Sequence, residues 1–342
     1  TMHSLALLVR LARWYYALCL AGGCLALVPD RLNAGLPRLA RVARKVLLNS
    51  VGRGRTYDED FEGASGSGRL SRFVRSVLSA SVPKRWFSHF YHLAFCWNGA
   101  WLLLLLKAVL GGDESETLRE TLLALICLQV HVSRRLYENY FVHIHSNEAR
   151  MQLFGYSFGL LYYVFLPANF LSPVAAAFEA AGAGAGAALG DGAATGSPRS
   201  SDATSMMSGG PPSLLPTLLD GFGARQGLCL ALFIFGNVMQ YQSHCTLASI
   251  RKGGGQAAPG KSKYSVPQGL WFTHCSSPHY LAEILLYVGF ITLSTGWGAD
   301  TLLLMTMVVM NLGLSAGMTH QWYKATFKTY PKARWAMVPL IY

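Results

Sequence analysis

Three stretches of the 342-residue sequence combine titratable and amide side chains at spacings that can do chemistry. The first, VPKRWFSHFY (Val82 to Tyr91), carries His89 between Phe87 and Tyr91, just after Lys84 and Arg85. By composition it reads as an interfacial belt, with cations at headgroup level and rings at the boundary. His89 adds a group that titrates near neutral pH. The second, RRLYENYFVHIHSN (Arg134 to Asn147), sets Arg135 and Glu138 three residues apart, on one helix face. That pair serves either as a local ion pair or as the polar pocket for a substrate head. The third is discontinuous, from Gln240 to Lys252, Tyr264 to Glu283 and Asn311 to Arg334. Gln240 and His244 stand one helical turn apart, and His320 shares a face with Tyr323. Arg251, Lys252, Lys332 and Arg334 together suit several phosphates, arginine as a planar fork and lysine as a point charge.

The elements that must position these groups are membrane spans. Hydrophobic residues make up 52% of the chain and charged ones 13%, about half the roughly 25% usual in soluble globular proteins. The apolar residues cluster in runs of about twenty, the length a helix needs to cross a bilayer. Seven spans are expected, near 4–28, 88–110, 118–142, 150–171, 226–249, 279–296 and 300–320, in an all-α polytopic bundle. Gln129, His131, Gln240, His244, Glu283, Asn311 and His320 fall inside or at the ends of these spans, where polar groups face a bundle interior or a wet cavity.

The basic residues are distributed by topology rather than in a nucleic-acid patch, despite a net charge of +12. Twelve Lys and Arg lie between Arg31 and Arg85, span three ends in Arg134 and Arg135, span five in Arg251 and Lys252 and span seven in Lys324, Lys328, Lys332 and Arg334, whereas the loop after span two is acidic. The positive-inside rule then expects a lumenal N-terminus and a cytosolic C-terminus. The seven cysteines form no CxxC pair and read as small buried hydrophobes, so no metal site is expected. The chain divides into an anchor and basic loop (1–81), spans two to four (82–172), an Ala/Gly/Ser-rich linker (173–225) and a C-terminal region (226–342).

The motifs VPKRWFSHFY, SRRLYE, QYQSH with the following IRK, SSPHYLAE, and LSAGMTHQWYK with TYPKAR resemble the steroid 5-alpha-reductase family, in its polyprenol reductase branch. The similarity runs from about Val82 to Tyr342. It implies an endoplasmic-reticulum enzyme that uses NADPH to saturate the alpha-isoprene unit of a long-chain polyprenoid on the way to dolichol. It also implies cofactor contacts from Gln240, Tyr241, His244, Arg251, Tyr264, Glu283, Asn311, Tyr323 and Arg334, with His320 beside the nicotinamide. Where the family reads SSPN this chain reads SSPH, so His279 replaces an amide near the cofactor.

Hydride adds readily to a carbon–carbon double bond only when a conjugated carbonyl accepts the developing charge, which favours the polyprenal aldehyde over the free alcohol. Tyr323, His320 and His89 are the candidates to hydrogen-bond that oxygen or to protonate the alpha carbon. Phe87, Tyr91, Arg135 and Glu138 complete the expected substrate side. An enoyl-CoA or steroid reductase of the same family, or a transporter, are the competing readings. A transporter would show Gly/Pro-broken repeats in both halves, and none is visible.

Overall fold

An apolar segment in hydrocarbon must satisfy its backbone internally, and helix is the local way to do so. The computed structural model describes residues 2–33, 35–51, 80–112, 115–145, 149–190, 216, 221–254, 265–294 and 298–342. In chain order these form α1 (Met2–Ala26), the short α2 (Asp30–Asn33), α3 (Arg38–Val51), β1 (Ser81–Pro83) and a 3-10 turn (Lys84–Phe87). Then come α4 (Ser88–Leu110), α5 (Glu116–Phe141), β2 (Arg150–Gln152), α6 (Leu153–Gly190) and α7 (Ala224–Gly254). A second 3-10 turn (Leu270–Thr273), α8 (Pro278–Leu293) and α9 (Ala299–Thr326) complete the order. The protein is an all-α, multi-pass membrane protein, and among the described residues seven helices of 16 residues or more fall on the seven expected spans.

Among the described residues, four helices are long and apolar enough to cross a membrane by length and composition: Ser4–Ala26, Lys84–Leu110, Leu153–Ala181 and Ala299–Thr326. The other three depart for a visible reason. α5 buries Glu120, Arg135 and Glu138, α7 carries Asn237, Gln240, Gln242 and His244 along its length, and α8 has only 16 residues. α6 runs beyond the expected end near 171, with Val174 and Ala175 still buried. Alanine, the best helix former, continues it to Gly190. The linker beyond, 191–215, lies outside the described residues.

Successive long helices alternate in direction, so the starts of α4, α6 and α8 and the ends of α5, α7 and α9 share one end of the bundle. β1 and β2 pair antiparallel there, Val82 opposite Met151, and tie the start of α4 to the start of α6. α7 and α8 make the most intimate crossing. A Cβ on Gly236 would lie 2.9 Å from the Ala282 carbonyl oxygen, and one on Gly289 would lie 3.0 Å from that of Cys229. This close approach sets Gln240 and His244 of α7 against His279 and Glu283 of α8. Gly289→Leu is therefore expected to destabilise the protein by about 1–3 kcal/mol through overpacking. Gly227→Leu, at a position with nothing within 4 Å, should be near neutral. Thermal melts of the two purified variants compare them, and equal melting temperatures would refute the close crossing.

Candidate active site

At the shared end, α4, α5, α7 and α8 converge on four charged side chains. Arg134 and Arg135 are adjacent on α5, and Glu138 lies one turn on, fully buried, where it accepts from both guanidiniums. Arg134 also donates to Gln240 Oε1 and, at 2.7 Å, to Asn237 Oδ1, both on α7. Gln240 in turn donates to Glu283 of α8, and His131 Nε2 lies 3.7 Å from the same carboxylate. His244 Nδ1 stands 2.9 Å from Glu138 Oε2. Two guanidiniums and two carboxylates thus balance each other inside the bundle, which is how charge is tolerated at membrane depth.

Arg135 has a second task. Its Nε and Nη2 donate to Tyr91 Oη at 3.1 and 2.7 Å. Tyr91 belongs to α4 and is held between the rings of Phe87 and Tyr163, at 5.6 and 5.7 Å between centroids.

These groups form one pole of a cavity of about 440 Å3. Its wall includes Tyr91, Arg135, Gln240, His244, His279, Glu283 and Asn311, with Lys84, Arg150 and Arg251 among the cations that line it. The remaining wall is aromatic and aliphatic, including Phe87, Phe90, Phe158, Tyr162, Met307 and Met310. Arg251 is also fixed by donating to the Ile144 carbonyl at 2.7 Å. Just after α5, burial and then the charges of Lys84 and Arg251 depress His145 to about 4. Burial, then His244 and Arg135, depress His143 further still. Both imidazoles are neutral at pH 7 and add no charge to the two guanidiniums.

Glu138, His143 and His244 bring one ligand atom each within 4.8 Å of one another, a grouping that could hold a metal ion. Both oxygens of that carboxylate already accept from arginine, so a bound cation would meet two guanidiniums at contact distance. The chemistry of the group is that of an ion-paired hydrogen-bond network.

The structure separates the sequence-derived candidates by where they stand. Phe87, Tyr91, Arg135, Gln240, His244, Arg251, His279, Glu283 and Asn311 line the cavity, with Glu138 directly behind Arg135. His89 lies beside the cavity, where its Nδ1 is 2.8 Å from the hydroxyl of the wall residue Tyr156 and its ring packs on Trp86. Tyr241 and Lys252 are exposed on α7, and Tyr264 lies outside the described residues.

His320, Tyr323 and Arg334 stand in a different cluster, away from the cavity wall. His320 Nδ1 is 2.6 Å from Ser276 Oγ, which also meets Tyr330 Oη at 2.5 Å. Tyr323 stacks on Tyr330 at 5.3 Å and 8°. Arg334 lies over the same ring and donates to the Pro267 carbonyl and Gln268 Oε1, at 2.9 and 3.0 Å. Lys332 is exposed nearby. These contacts knit the segment after α9 to the loop before α8. Arg134, Tyr156, Tyr163, Lys84, Arg150 and His143 belong to the site without having been singled out by the sequence. For Arg134 the signal was present, as its i,i+4 spacing to Glu138.

Comparison with known proteins places this chain in a family. Residues 223–342 match the family described as 3-oxo-5-alpha-steroid 4-dehydrogenase. Polyprenal reductase 1 of Arabidopsis thaliana is 31% identical over 297 residues, covering 81% of this chain and 87% of that protein. Polyprenal reductase of Homo sapiens is 31% identical over 284 residues, 76% of this chain and 78% of the relative. Polyprenal reductase 1 of Oryza sativa subsp. indica is 28% identical over 362 aligned positions, 93% and 96% of the two chains. The protein is thus a multi-pass membrane oxidoreductase. It belongs to the steroid 5-alpha-reductase family, in the branch that holds these polyprenal reductases.

Proposed function

We propose that the protein is an NADPH-dependent polyprenal reductase of the endoplasmic-reticulum membrane. It saturates the double bond next to the aldehyde, on the route to the dolichol that serves protein N-glycosylation. The observation that carries this reading is the two-part cavity, in which one charge-balanced, hydrogen-bonding pole is continuous with a long aromatic and aliphatic wall. A polyprenal has the same division, a polar head on an isoprenoid chain, and the relatives' names supply the substrate class. Basic residues after α1, in the last turn of α7 and after α9 support a cytosolic face for the polar pole. On this reading residues 82–172 supply the groups that hold the aldehyde together with two of the phosphate-binding cations, and residues 226–342 supply the other cofactor contacts.

Addition to a conjugated aldehyde builds negative charge on the carbonyl oxygen, and a donor fixed in advance at that oxygen lowers the barrier. Tyr91 is that donor. Its Oη accepts two hydrogen bonds from Arg135, so its own O–H is left to point at a substrate oxygen in the cavity. Glu138 holds Arg135 in place and keeps the local charge neutral. His279, whose ring lies 5.6 Å from that of His244 at the same pole, is positioned to pass a proton to the alpha carbon. The donor set suits a dinucleotide: Lys84, Arg150 and Arg251 would hold its phosphates, and Gln240, Asn311 and Glu283 its amide and hydroxyl groups. When bound there, the nicotinamide supplies the hydride.

Product analysis tests the reading. Membranes containing the protein, with NADPH, are offered polyprenal, polyprenol and a trans-2-enoyl-CoA separately. Saturation of the aldehyde alone is expected, and turnover of the enoyl-CoA alone would reject the assignment. Arg251→Ala should raise KM for NADPH about tenfold or more, the value of one charge-assisted hydrogen bond, with kcat largely kept. An unchanged KM would remove Arg251 from the cofactor site.

A further inference from the structure

The cavity does not end at its polar pole. An arm runs along one face of α1, where Tyr15, Cys19, Gly23 and Ala26 follow one another at helical spacing, opposite Met310 and Leu314 of α9. From Tyr15 to Ala26 the helical rise gives a length of about 16 Å. None of the residues that α1 and α9 contribute to the wall is charged.

α1 and α9 run parallel in register. Arg13 pairs with Asp300, 287 positions later, and Gly23 faces Met310 at the same interval. The seam between them is one side chain thick. Gly23 is buried but Cys24 is exposed, and Met310 is half-buried in the wall while Val309 beside it is 40% exposed. A Cβ on Gly23 would lie 1.8 Å from Met310 Cε, so glycine is what allows the thioether to lie across α1. A methionine side chain is unbranched and rotates readily, so it can swing aside.

We propose that this arm holds the first isoprene units of the tail, and that Gly23 and Met310 form the opening through which the remainder passes into the bilayer. The inference rests on the polyprenal reading. A cavity of about 440 Å3 cannot enclose a long polyprenyl chain. The chain must therefore leave through a wall whose far side is hydrocarbon, where its apolar surface stays out of water. The α1–α9 seam is such a wall. Gly23 and Met310 then decide chain-length selectivity and take no part in the hydride transfer.

Kinetics on two aldehydes, geranial and a long-chain polyprenal, test the opening in purified Gly23→Leu and Met310→Trp proteins. The ratio of kcat/KM for the long to the short aldehyde is expected to fall about tenfold or more in both, the scale of a steric mismatch in an apolar pocket. A ratio unchanged in both variants, with melting temperatures preserved, would overturn the proposal. A polyprenyl analogue with a photoreactive group beyond its first isoprene units gives a second readout. It should label α1 or α9 near Gly23 and Met310, and label confined to other helices would overturn the proposal even where no turnover is seen. Wild-type protein that reduces neither aldehyde yet is labelled at the seam would sink the polyprenal reading and leave the opening standing.

Discussion

Tyr91→Phe is expected to lower kcat for polyprenal reduction by about a hundredfold or more while the protein remains folded. A preorganised donor at a developing oxyanion is worth about 10²–10³ in rate. Only the hydroxyl is removed, and the ring keeps its contacts with Phe87 and Tyr163. Arg135 still has Glu138 as a partner, so no buried charge is stranded. KM for the aldehyde should change much less than kcat, because the bond strengthens as charge moves to oxygen. Steady-state kinetics beside a thermal melt make the test. A kcat within threefold of wild type, or a collapse of melting temperature alongside activity, would remove Tyr91 from the oxyanion role.

Glu138→Leu is expected to have the largest effect on stability, about 3–5 kcal/mol, by leaving two guanidiniums uncompensated inside the bundle. Glu138 is fully buried and meets Arg134, Arg135 and His244 together. The sign of the coupling gives a sharper test. In the double variant Arg134→Leu with Glu138→Leu, one stranded cation goes with its anion, so the combined loss should be smaller than the sum of the two single losses. Denaturation in detergent of the single and double variants measures this. Simple additivity would mean that the ion pairs are solvated rather than interdependent.

Much of this architecture was legible from residue order. The spans follow from apolar length, which is a strong signal because hydrocarbon allows few backbone solutions. Arg135 and Glu138 three apart, and Gln240 and His244 four apart, were readable as faces, and the structure sets both faces against the same cavity. What the sequence could not show was what each face meets. His320 and Tyr323 do share a face, but it turns toward Ser276 and Tyr330, a tertiary partnership that spacing alone does not encode. Tyr91 was expected on the substrate side, but its link to Arg135, made across two helices, was not legible. Tyr156 and Tyr163 were lost among the aromatic residues of α6, where an apolar face and a cavity wall have the same composition. The amphipathic α3, with Arg44 reaching back to Asp30 at 2.9 Å, was hidden inside a stretch read simply as a basic loop.

The bidentate contact of Arg13 with Asp300, at 2.6 and 3.0 Å, joins the first long helix to the last. Ser172 of α6 donates to the same carboxylate at 2.7 Å. A ribosome makes Arg13 long before Asp300 exists. The first helix must therefore wait beside the translocon with a cation inside its span and no anion to meet it. The pair forms only when α9 arrives and packs against α1. Until then the nascent chain displays an unmatched charge in the membrane, a mark by which a truncated or stalled product differs from a finished one.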